Sequence, residues 1–182
     1  NNNLISLSTL TNNSASNPAL FIAGGASSNT LTQCVIANPA GNGAYFDSNA
    51  AYNTISQSTM TGDGGIAKYG LYLSGVAWNT IVDSYVQGPN GAYIGGSTGT
   101  VIDSSIVRAT NTVGHGLWCG LGSVNLTLTT DTFKGGPQGA GIFMDSGNSG
   151  SIVLTSNTIT GGRWGVSIAA QAAGTGLAVA SM

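Results

Sequence analysis

A spacing of five residues between two apolar side chains recurs seven times and constrains the fold of this chain more than any other feature. In the segment NTISQSTM, Ile55 and Met60 are the apolar pair and Ser58 is the small polar residue between them. The first apolar positions, 20 to 27 residues apart, are Ile5, Leu31, Ile55, Ile81, Val101, Leu128 and Leu154. Their apolar partners are Leu10, Ile36, Met60, Val86, Ile106, Phe133 and Ile159. Repeats of this length predict short units that bury a core only by stacking on one another.

The residues between the paired apolar positions form a third column. Its members are Ser8, Cys34, Ser58, Ser84, Ser104, Asp131 and Asn157. All of them are small or able to hydrogen-bond to a neighbour above and below. This column predicts a polar ladder inside the stack.

A second apolar strip follows each copy of the repeat, as in GAYF, GLYL and GLWC. Its apolar and aromatic residues alternate with the period of a β-strand. The predicted inward residues are Leu20 and Ile22, Ala44 and Phe46, Leu71 and Leu73, Ala92 and Ile94, Leu117 and Cys119, Ile142 and Met144, and Val166 and Ile168. Clusters of Gly, Asn and Pro between the strips predict turns and leave no room for helices.

These periods predict an all-β solenoid of about seven coils with 20–27 residues per coil, forming a single domain over residues 1–182 without separate caps. The NTI pattern, followed by a small polar and then an apolar residue, resembles the right-handed parallel β-helix repeat of the pectin-lyase-like superfamily, in the form common in large secreted bacterial surface proteins. The resemblance implies an extracellular or cell-surface location. The superfamily includes polysaccharide lyases and hydrolases, adhesins, tailspikes and structural rods, so it implies a fold and not a reaction.

The scarcity of charge excludes two kinds of partner. Charged residues make up 5% of the chain, with four Lys and Arg and a net charge of −2, whereas a typical soluble domain has about 25%. Four basic residues cannot form the positive stripe of a nucleic-acid-binding protein or a polybasic membrane patch. No apolar run approaches the length of a membrane span. We therefore expect no nucleic acid partner and no membrane insertion.

The repeat also places the two cysteines. Cys34 falls in the ladder of the second coil and Cys119 in an apolar column of the fifth. Three coil spacings of about 4.8 Å exceed the ~7 Å limit between the Cα atoms of a disulfide. We predict two buried free thiols. The single His and the scattered Asp residues show no zinc-type spacing, so neither a metal nor a cofactor is predicted.

Three residues are candidates for catalysis. His115, in the segment VGHGLW, is similar to the glycine-flanked histidine of polygalacturonases, although the other motifs of that family are absent and the repeat alone accounts for Gly116. Asp83 and Asp103 are placed by the repeat in one column on neighbouring coils, near the roughly 5 Å separation of a retaining glycosidase pair. The alternative is two solvated corner residues. We favour the prediction that no residue is catalytic.

An outward aromatic column is the candidate contact surface. It comprises Phe21, Tyr45, Tyr72, Tyr93, Trp118 and Phe143, and ends at Ser167. Stacked rings on one face of a rod are typical of contact surfaces. Three interpretations remain open: stacking against sugars, an interface with protein, and rings covered by long loops such as STLTNNSASNP.

Two main classes of function remain. The first is an extracellular structural or adhesive protein that self-assembles, end to end into a filament or sheath, with the tail 171–182 as a contact between subunits. The alternative is a carbohydrate-active enzyme or glycan-binding module, with surface glycans as partners. The absence of a convincing catalytic cluster favours a non-enzyme. A third class, ice binding, would use Thr-rich outward columns, but Val82, Tyr85 and Ile102 interrupt them.

Overall fold

The computed structural model describes residues 1–169 and 176–180, and every regular element within them is a β-strand. In chain order the strands are β1 Leu4–Ser6, β2 Thr9–Thr11, β3 Leu20–Ile22, β4 Thr30–Thr32, β5 Val35–Asn38, β6 Ala44–Phe46, β7 Thr54–Ser56, β8 Thr59–Gly62, β9 Tyr69–Ser74, β10 Thr80–Val82, β11 Tyr85–Gly88, β12 Asn90–Gly95, β13 Val101–Asp103, β14 Ile106–Ala109, β15 Leu117–Cys119, β16 Val124–Thr129, β17 Thr132–Lys134, β18 Ala140–Met144, β19 Ser149–Thr155, β20 Thr158–Thr160, β21 Trp164–Ile168 and β22 Gly176–Ala180. Across these ranges no helix is long and apolar enough to cross a membrane.

Successive strands wind through three parallel sheets, so that each coil contributes one strand to each sheet. The first sheet has the order β1-β4-β7-β10-β13-β16-β19-β22. The second has the order β2-β5-β8-β11-β14-β17-β20, and the third runs from β3 through β6, β9, β12, β15 and β18 to β21. The prediction of an all-β solenoid of about seven coils is confirmed.

The core lies between the three sheets and consists of columns of apolar side chains. In the first sheet Leu31, Ile55 and Ile81 lie one above the other. In the second sheet Met60 occupies the corresponding interior column and, like Ile55, is fully buried. Burying each such side chain contributes roughly 1.5–3 kcal/mol. The stability of one coil therefore depends on the coils on either side of it, because an isolated three-residue strand has no other apolar surface to cover.

The fifth coil has a register that differs from the prediction by one residue. Ile102, not Val101, pairs with Ile81. Likewise Val107, not Ile106, lies in the interior column of the second sheet. Ile102 and Val107 are fully buried, whereas Ile106 is 46% exposed. Because a slip of one residue exchanges the two faces of a strand, Val101 and Ile106 were wrongly placed inside, and Ile102 does not belong to an outward column.

The polar ladder between the first and second sheets is present, with Ser105 in place of Ser104. Ser84 donates its backbone N–H to Ser105 Oγ over 3.1 Å, and Ser105 donates its own to Asp131 Oδ1 over 2.8 Å. Asp131 in turn donates its N–H to Asn157 Oδ1 over 2.7 Å. In this ladder, whose residues we call rungs, Ser105, Asp131 and Asn157 thus each accept a backbone N–H of the coil before them. This is necessary because buried N–H groups that lack a partner are strongly destabilising.

A two-residue corner joins the first sheet to the second in all seven coils, and its second residue is the ladder residue. The first residues of these corners have positive φ angles and are Leu7 (49°), Gln33 (55°), Gln57 (48°), Asp83 (49°), Ser104 (51°), Thr130 (57°) and Ser156 (55°). The left-handed conformation costs a non-glycine residue about 1–2 kcal/mol. The ladder beside each corner holds the backbone in this shape.

The end of the chain continues the first sheet. Gly176–Ala180 pairs in parallel with β19 of the same chain. The other residues of the tail 171–182 lie outside the described ranges. Its predicted role as a contact between subunits stays a prediction.

The register of the fifth coil can be tested with two neighbouring substitutions. Ile102→Asp would place an unpaired charge in the core at a cost of several kcal/mol, comparable with the entire stability of a domain. We expect this variant to lose its β-type circular dichroism spectrum. Val101→Asp, on the outer face, should retain the spectrum; the opposite pattern would contradict the register.

Candidate binding face on the third sheet

Six aromatic side chains lie on consecutive coils along the outer surface of the third sheet. The backbone register aligns Phe21 with Tyr45 and Tyr93 with Trp118. We call this set the aromatic column; its members are Phe21, Tyr45, Tyr72, Tyr93, Trp118 and Phe143. Phe21 is 58% exposed and the other five are half-buried. The alignment expected from the sequence is present, whereas the binding role of the column remains a prediction.

Neighbouring rings of the aromatic column contact one another. Tyr72 and Tyr93 stack almost in parallel, with ring centroids 4.6 Å apart and an interplanar angle of 13°. The remaining pairs meet edge to face; Tyr45 and Tyr72, for example, have centroids 4.8 Å apart at 75°. Aromatic pairs of these geometries contribute roughly 0.5–1.5 kcal/mol each beyond the area that they bury. The column is therefore a continuous and mutually supported surface.

Two further rings border the aromatic column and were not assigned to it from the sequence. Tyr69 contacts Tyr72 and Tyr93, with centroid distances of 5.2 and 5.6 Å. His115 stacks on Phe143 at 4.8 Å and 15°. Tyr69 is the first residue of β9 and aligns with Asn90, the first residue of β12. The available signal was the spacing of three residues between each of these rings and the next member of the aromatic column, Tyr72 or Trp118.

Glycines make room for Tyr93. A Cβ atom added at Gly95 or at Gly120 would lie 2.3 Å from the phenol oxygen of Tyr93, closer than non-bonded atoms approach. The Tyr93 ring therefore lies against the bare backbone of its own coil and of the next one. Larger residues at either position would push the ring away from the sheet.

Phenol hydroxyls and carboxylates make this face polar as well as aromatic. Tyr45 donates its hydroxyl to Asp47 Oδ2 over 3.3 Å. Burial, followed by the charge of Asp145, raises the pKa of Tyr93. Burial also raises the pKa of Tyr69 to about 12. The phenols are therefore neutral at pH 7 and keep their hydrogens for donation.

One interpretation of the aromatic column was that long loops cover its rings. The long loop before β3 does not cover Phe21, the ring next to it. The backbone carbonyl of Ser14 accepts a hydrogen bond from Asn38, and that of Ala15 accepts one from Lys68. These contacts hold the loop at the corner between the second and third sheets. Phe21, immediately after the loop, keeps more than half of its surface accessible.

His115 forms a structural hydrogen bond with the next coil. Its Nδ1 accepts the backbone N–H of Ala140 over 3.1 Å, and its own backbone N–H donates to Asn90 Oδ1 over 3.0 Å. Burial lowers its pKa, so the ring is neutral at pH 7. Asn42 and Asn90 occupy the same column and accept backbone N–H groups in the same way.

The role of His115 predicts different effects for two substitutions. His115→Asn keeps an acceptor of the kind that Asn90 provides, so the free energy of unfolding should change little. His115→Ala leaves the Ala140 N–H without its acceptor and should cost about 1–3 kcal/mol. Urea unfolding followed by circular dichroism measures both. Equal destabilisation by the two variants would show that the hydrogen bond does not matter.

Asp83 and Asp103 are not in one column, contrary to the prediction. The register pairs Asp103 with Val82, so Asp103 lies on the outer face of the first sheet. Asp83 stands on the exposed corner, in an open groove of about 400 Å³ lined also by Gln57 and Tyr85 but not by Asp103. The two carboxylates therefore lie on adjacent columns, and His115 belongs to a different sheet. The structure does not bring the three candidate catalytic residues together.

The cysteines are both buried and free, as predicted. Cys34 occupies its rung of the polar ladder, where its backbone N–H donates to Ser58 Oγ over 3.0 Å. Burial raises the pKa of the Cys119 thiol to about 12. Among residues 1–169 and 176–180, no three His, Cys, Asp or Glu side chains are grouped so that they could hold a metal ion.

Comparison with known proteins identifies the family. Residues 18–180 match the profile described as right handed beta helix region. This match covers most of the chain, which therefore belongs to the right-handed β-helix family. The resemblance inferred from the repeats is confirmed at the level of the fold. No curated protein sequence matches the chain.

Solved structures with the same fold include a tailspike protein, an epimerase and a catalytic domain. The Dettilon tailspike protein superposes with a TM-score of 0.64 at 14% identity, covering 97% of this chain and 38% of the tailspike chain. A mutant of the periplasmic alginate epimerase AlgG gives 0.61 at 16% identity, covering 91% and 47%. The Agl-KA catalytic domain gives 0.53 at 14% identity, covering 97% and 41%. At these identities the similarity shows the fold alone, and the chain spans less than half of each relative.

Proposed function

We propose that this chain is an extracellular, adhesive β-helix that binds a polysaccharide through the aromatic column and does not cleave it. The observation that supports this proposal most directly is the unbroken row of six partly exposed rings along one sheet. Sugar rings present apolar C–H faces and polar hydroxyl edges. They fit a surface on which aromatic rings alternate with hydrogen-bonding groups.

The polar groups beside the column favour a neutral glycan over an acidic one. Asp47 and Asp145 follow ring positions of the second and sixth coils by two residues and carry carboxylates that can accept hydrogen bonds from sugar hydroxyls. The seven strands of the third sheet contain neither Lys nor Arg. A uronate chain lying along these strands would therefore meet the carboxylates of Asp47 and Asp145, whereas the cations Lys68 and Arg163 stand only immediately before β9 and β21, where Arg163 stacks on Trp164.

The known relatives support a role outside the cytoplasm. One is a tailspike protein, and another is a periplasmic epimerase named for alginate, a polysaccharide. Location and ligand are not transferable at 14–16% identity, so both belong to the proposal. Because the chain has few charged residues, little electrostatic repulsion would oppose its contact with a neutral surface.

Binding without cleavage is favoured by the placement of the candidate catalytic residues. Asp83 and Asp103 are neighbours, since the Asp83 backbone N–H donates to the Asp103 carbonyl over 3.1 Å, but both lie away from the aromatic column, and His115 belongs to another sheet. A glycosidase needs two carboxyl groups facing the same bond at about 5–9.5 Å. Asp83 points from a corner, Asp103 lies on the first sheet, and the Nδ1 atom of His115 already accepts a backbone hydrogen bond. No two of these three candidate catalytic residues lie together beside the aromatic column.

Self-assembly is the competing use of the same exposed rings. A second copy of the chain packing laterally on the aromatic column would bury it, and end-to-end growth into a filament would add parallel strands at the terminal coils. Both remain predictions. Sedimentation velocity of the wild-type protein over a range of concentrations separates a monomeric binding module from an assembling rod.

Glycan binding can be tested with paired ring removals. We expect the double variant Tyr72→Ala and Tyr93→Ala to bind a neutral polysaccharide roughly five- to 150-fold more weakly, at about 0.5–1.5 kcal/mol per ring. Affinity electrophoresis in gels containing neutral or uronate polysaccharides provides the measurement. Tyr85→Ala is the matched control, because Tyr85 lies on the second sheet and its hydroxyl bonds Gln87.

Three results would contradict the proposal. Equal weakening by Tyr85→Ala would show that the third sheet has no special role. Release of new reducing ends from the bound polysaccharide, lost in Asp83→Asn, would show that the protein is an enzyme. If no polysaccharide retards the wild-type protein while it sediments as oligomers, the rings serve self-association instead.

A further inference from the structure

The polar ladder between the first and second sheets follows one rule at six of its seven rungs. At these six, the side chain donates a hydrogen to a backbone carbonyl. The pairs are Ser8 to Ser6, Cys34 to Thr32, Ser58 to Ser56, Ser84 to Val82, Ser105 to Asp103, and Asn157 to Leu128. Four of the six also accept a backbone N–H of the preceding coil, namely Ser58, Ser84, Ser105 and Asn157. These four both accept and donate, as buried polar groups must in order to be satisfied.

Asp131 is the seventh rung. It is 1% exposed, and its Oδ1 accepts the backbone N–H of Ser105 over 2.8 Å. Its Oδ2 is buried without a hydrogen-bond partner. An ionised carboxylate has no hydrogen to donate, and a buried charge without a partner is strongly unfavourable. As an anion, Asp131 is therefore the one rung that cannot follow the rule.

Two backbone carbonyls correspond to the acceptors that the other rungs use. Five of the six rungs donate to the carbonyl two residues earlier, which for Asp131 is that of Thr129. Asn157 donates its Nδ2–H to the carbonyl of Leu128 over 2.8 Å, the interior residue of the first sheet one coil earlier. Cys34 approaches the corresponding carbonyl of the first coil. For Asp131 the equivalent residue is Ile102, which pairs with Leu128 in the parallel register.

We propose that Asp131 is a protonated rung, whose carboxyl O–H donates to one of these two backbone carbonyls, that of Thr129 or that of Ile102, and that loss of this proton loosens the stack of coils around it. The bond replaces the one that a serine hydroxyl or the Nδ2–H of an asparagine makes. The rod is then a proton-dependent structure that holds together more firmly in acid. This property is independent of what the aromatic column binds.

The charged groups around Asp131 do not offer a compensating cation. Asp103, on the coil below, is negative and disfavours a second anion. Arg108 and Lys134 are exposed on the outer face of the second sheet, on strands whose alternate residues point into the core. Cys119, inside the third sheet, is a buried thiol that burial keeps neutral. The coil above contributes the neutral amide of Asn157.

The sign of the pH dependence follows from these surroundings. Burial, with a smaller contribution from the Asp103 charge, raises the pKa of Asp131 to about 7 in the folded chain, against about 3.9 in an unfolded one. A raised pKa means that the native state holds the proton more tightly. The stabilisation is complete below about pH 4 and is lost as the pH rises to about 7.

Urea unfolding of the wild-type protein, Asp131→Asn and Asp83→Asn at a series of pH values tests the proposal. We expect the wild-type midpoint to fall between about pH 4 and pH 7 and to level off above that. Asp131→Asn should lack this fall and should exceed the wild-type midpoint at pH 8. Asp83→Asn, on an exposed corner, should keep the wild-type profile.

A second measurement reports the proton directly. Infrared difference spectra of the folded protein between pH 5 and pH 8 should show the C=O stretch of a carboxylic acid, absent from Asp131→Asn. The proposal is overturned if Asp131→Asn keeps the wild-type fall in midpoint, or if the acid band persists in that variant. Asp131→Ser, which introduces the commonest rung residue, serves as the replacement should Asp131→Asn not fold.

Discussion

The hydrogen-bonded register between successive coils is the constraint on which the rest of this structure depends. Every strand is only three to seven residues long and pairs in parallel with the same strand of the next coil. A single coil can satisfy neither its backbone groups nor its apolar side chains. Residues at equivalent positions must therefore be compatible with the copies above and below them. The apolar columns, the polar ladders and the corner of positive φ all result from this requirement.

The same constraint produces the candidate binding face. Residues that point outward are free of the core, so one column of the third sheet can hold aromatic rings at the spacing of the coils without disturbing the inside. Gly95 and Gly120 allow Tyr93 to lie against the backbone. The ring of His115 joins the face only because its Nδ1 also bonds the next coil at Ala140. His115 thus contributes both to the aromatic surface and to the hydrogen bonding of the backbone.

Most of this fold is predictable from the sequence because each column position recurs in seven coils, so that one irregular residue does not obscure the pattern. The fifth coil shows the limit of that approach: in VIDSSIV, both the set Val101, Ser104 and Ile106 and the set Ile102, Ser105 and Val107 fit the five-residue spacing. Hydrogen bonds to the adjacent rungs decide between them. In other coils a Thr precedes the interior residue of the first sheet. Val101 resembles Thr in shape, and this similarity could have indicated that Ile102, not Val101, is the interior residue. Side-chain packing brings Tyr69 and His115 to the rings, and the spacing of the repeat does not reveal these contacts. The same holds for the environment of Asp131, the one acid in the ladder.

If the proposed function is right, the third sheet, and no other surface, contacts a glycan. Amide chemical-shift mapping by NMR during titration with a neutral oligosaccharide locates the contact surface. We expect the largest shifts in β9, β12 and β15, which carry Tyr72, Tyr93 and Trp118. Shifts centred instead on the corner around Asp83, or on the outer face of the first sheet, would contradict the proposed function.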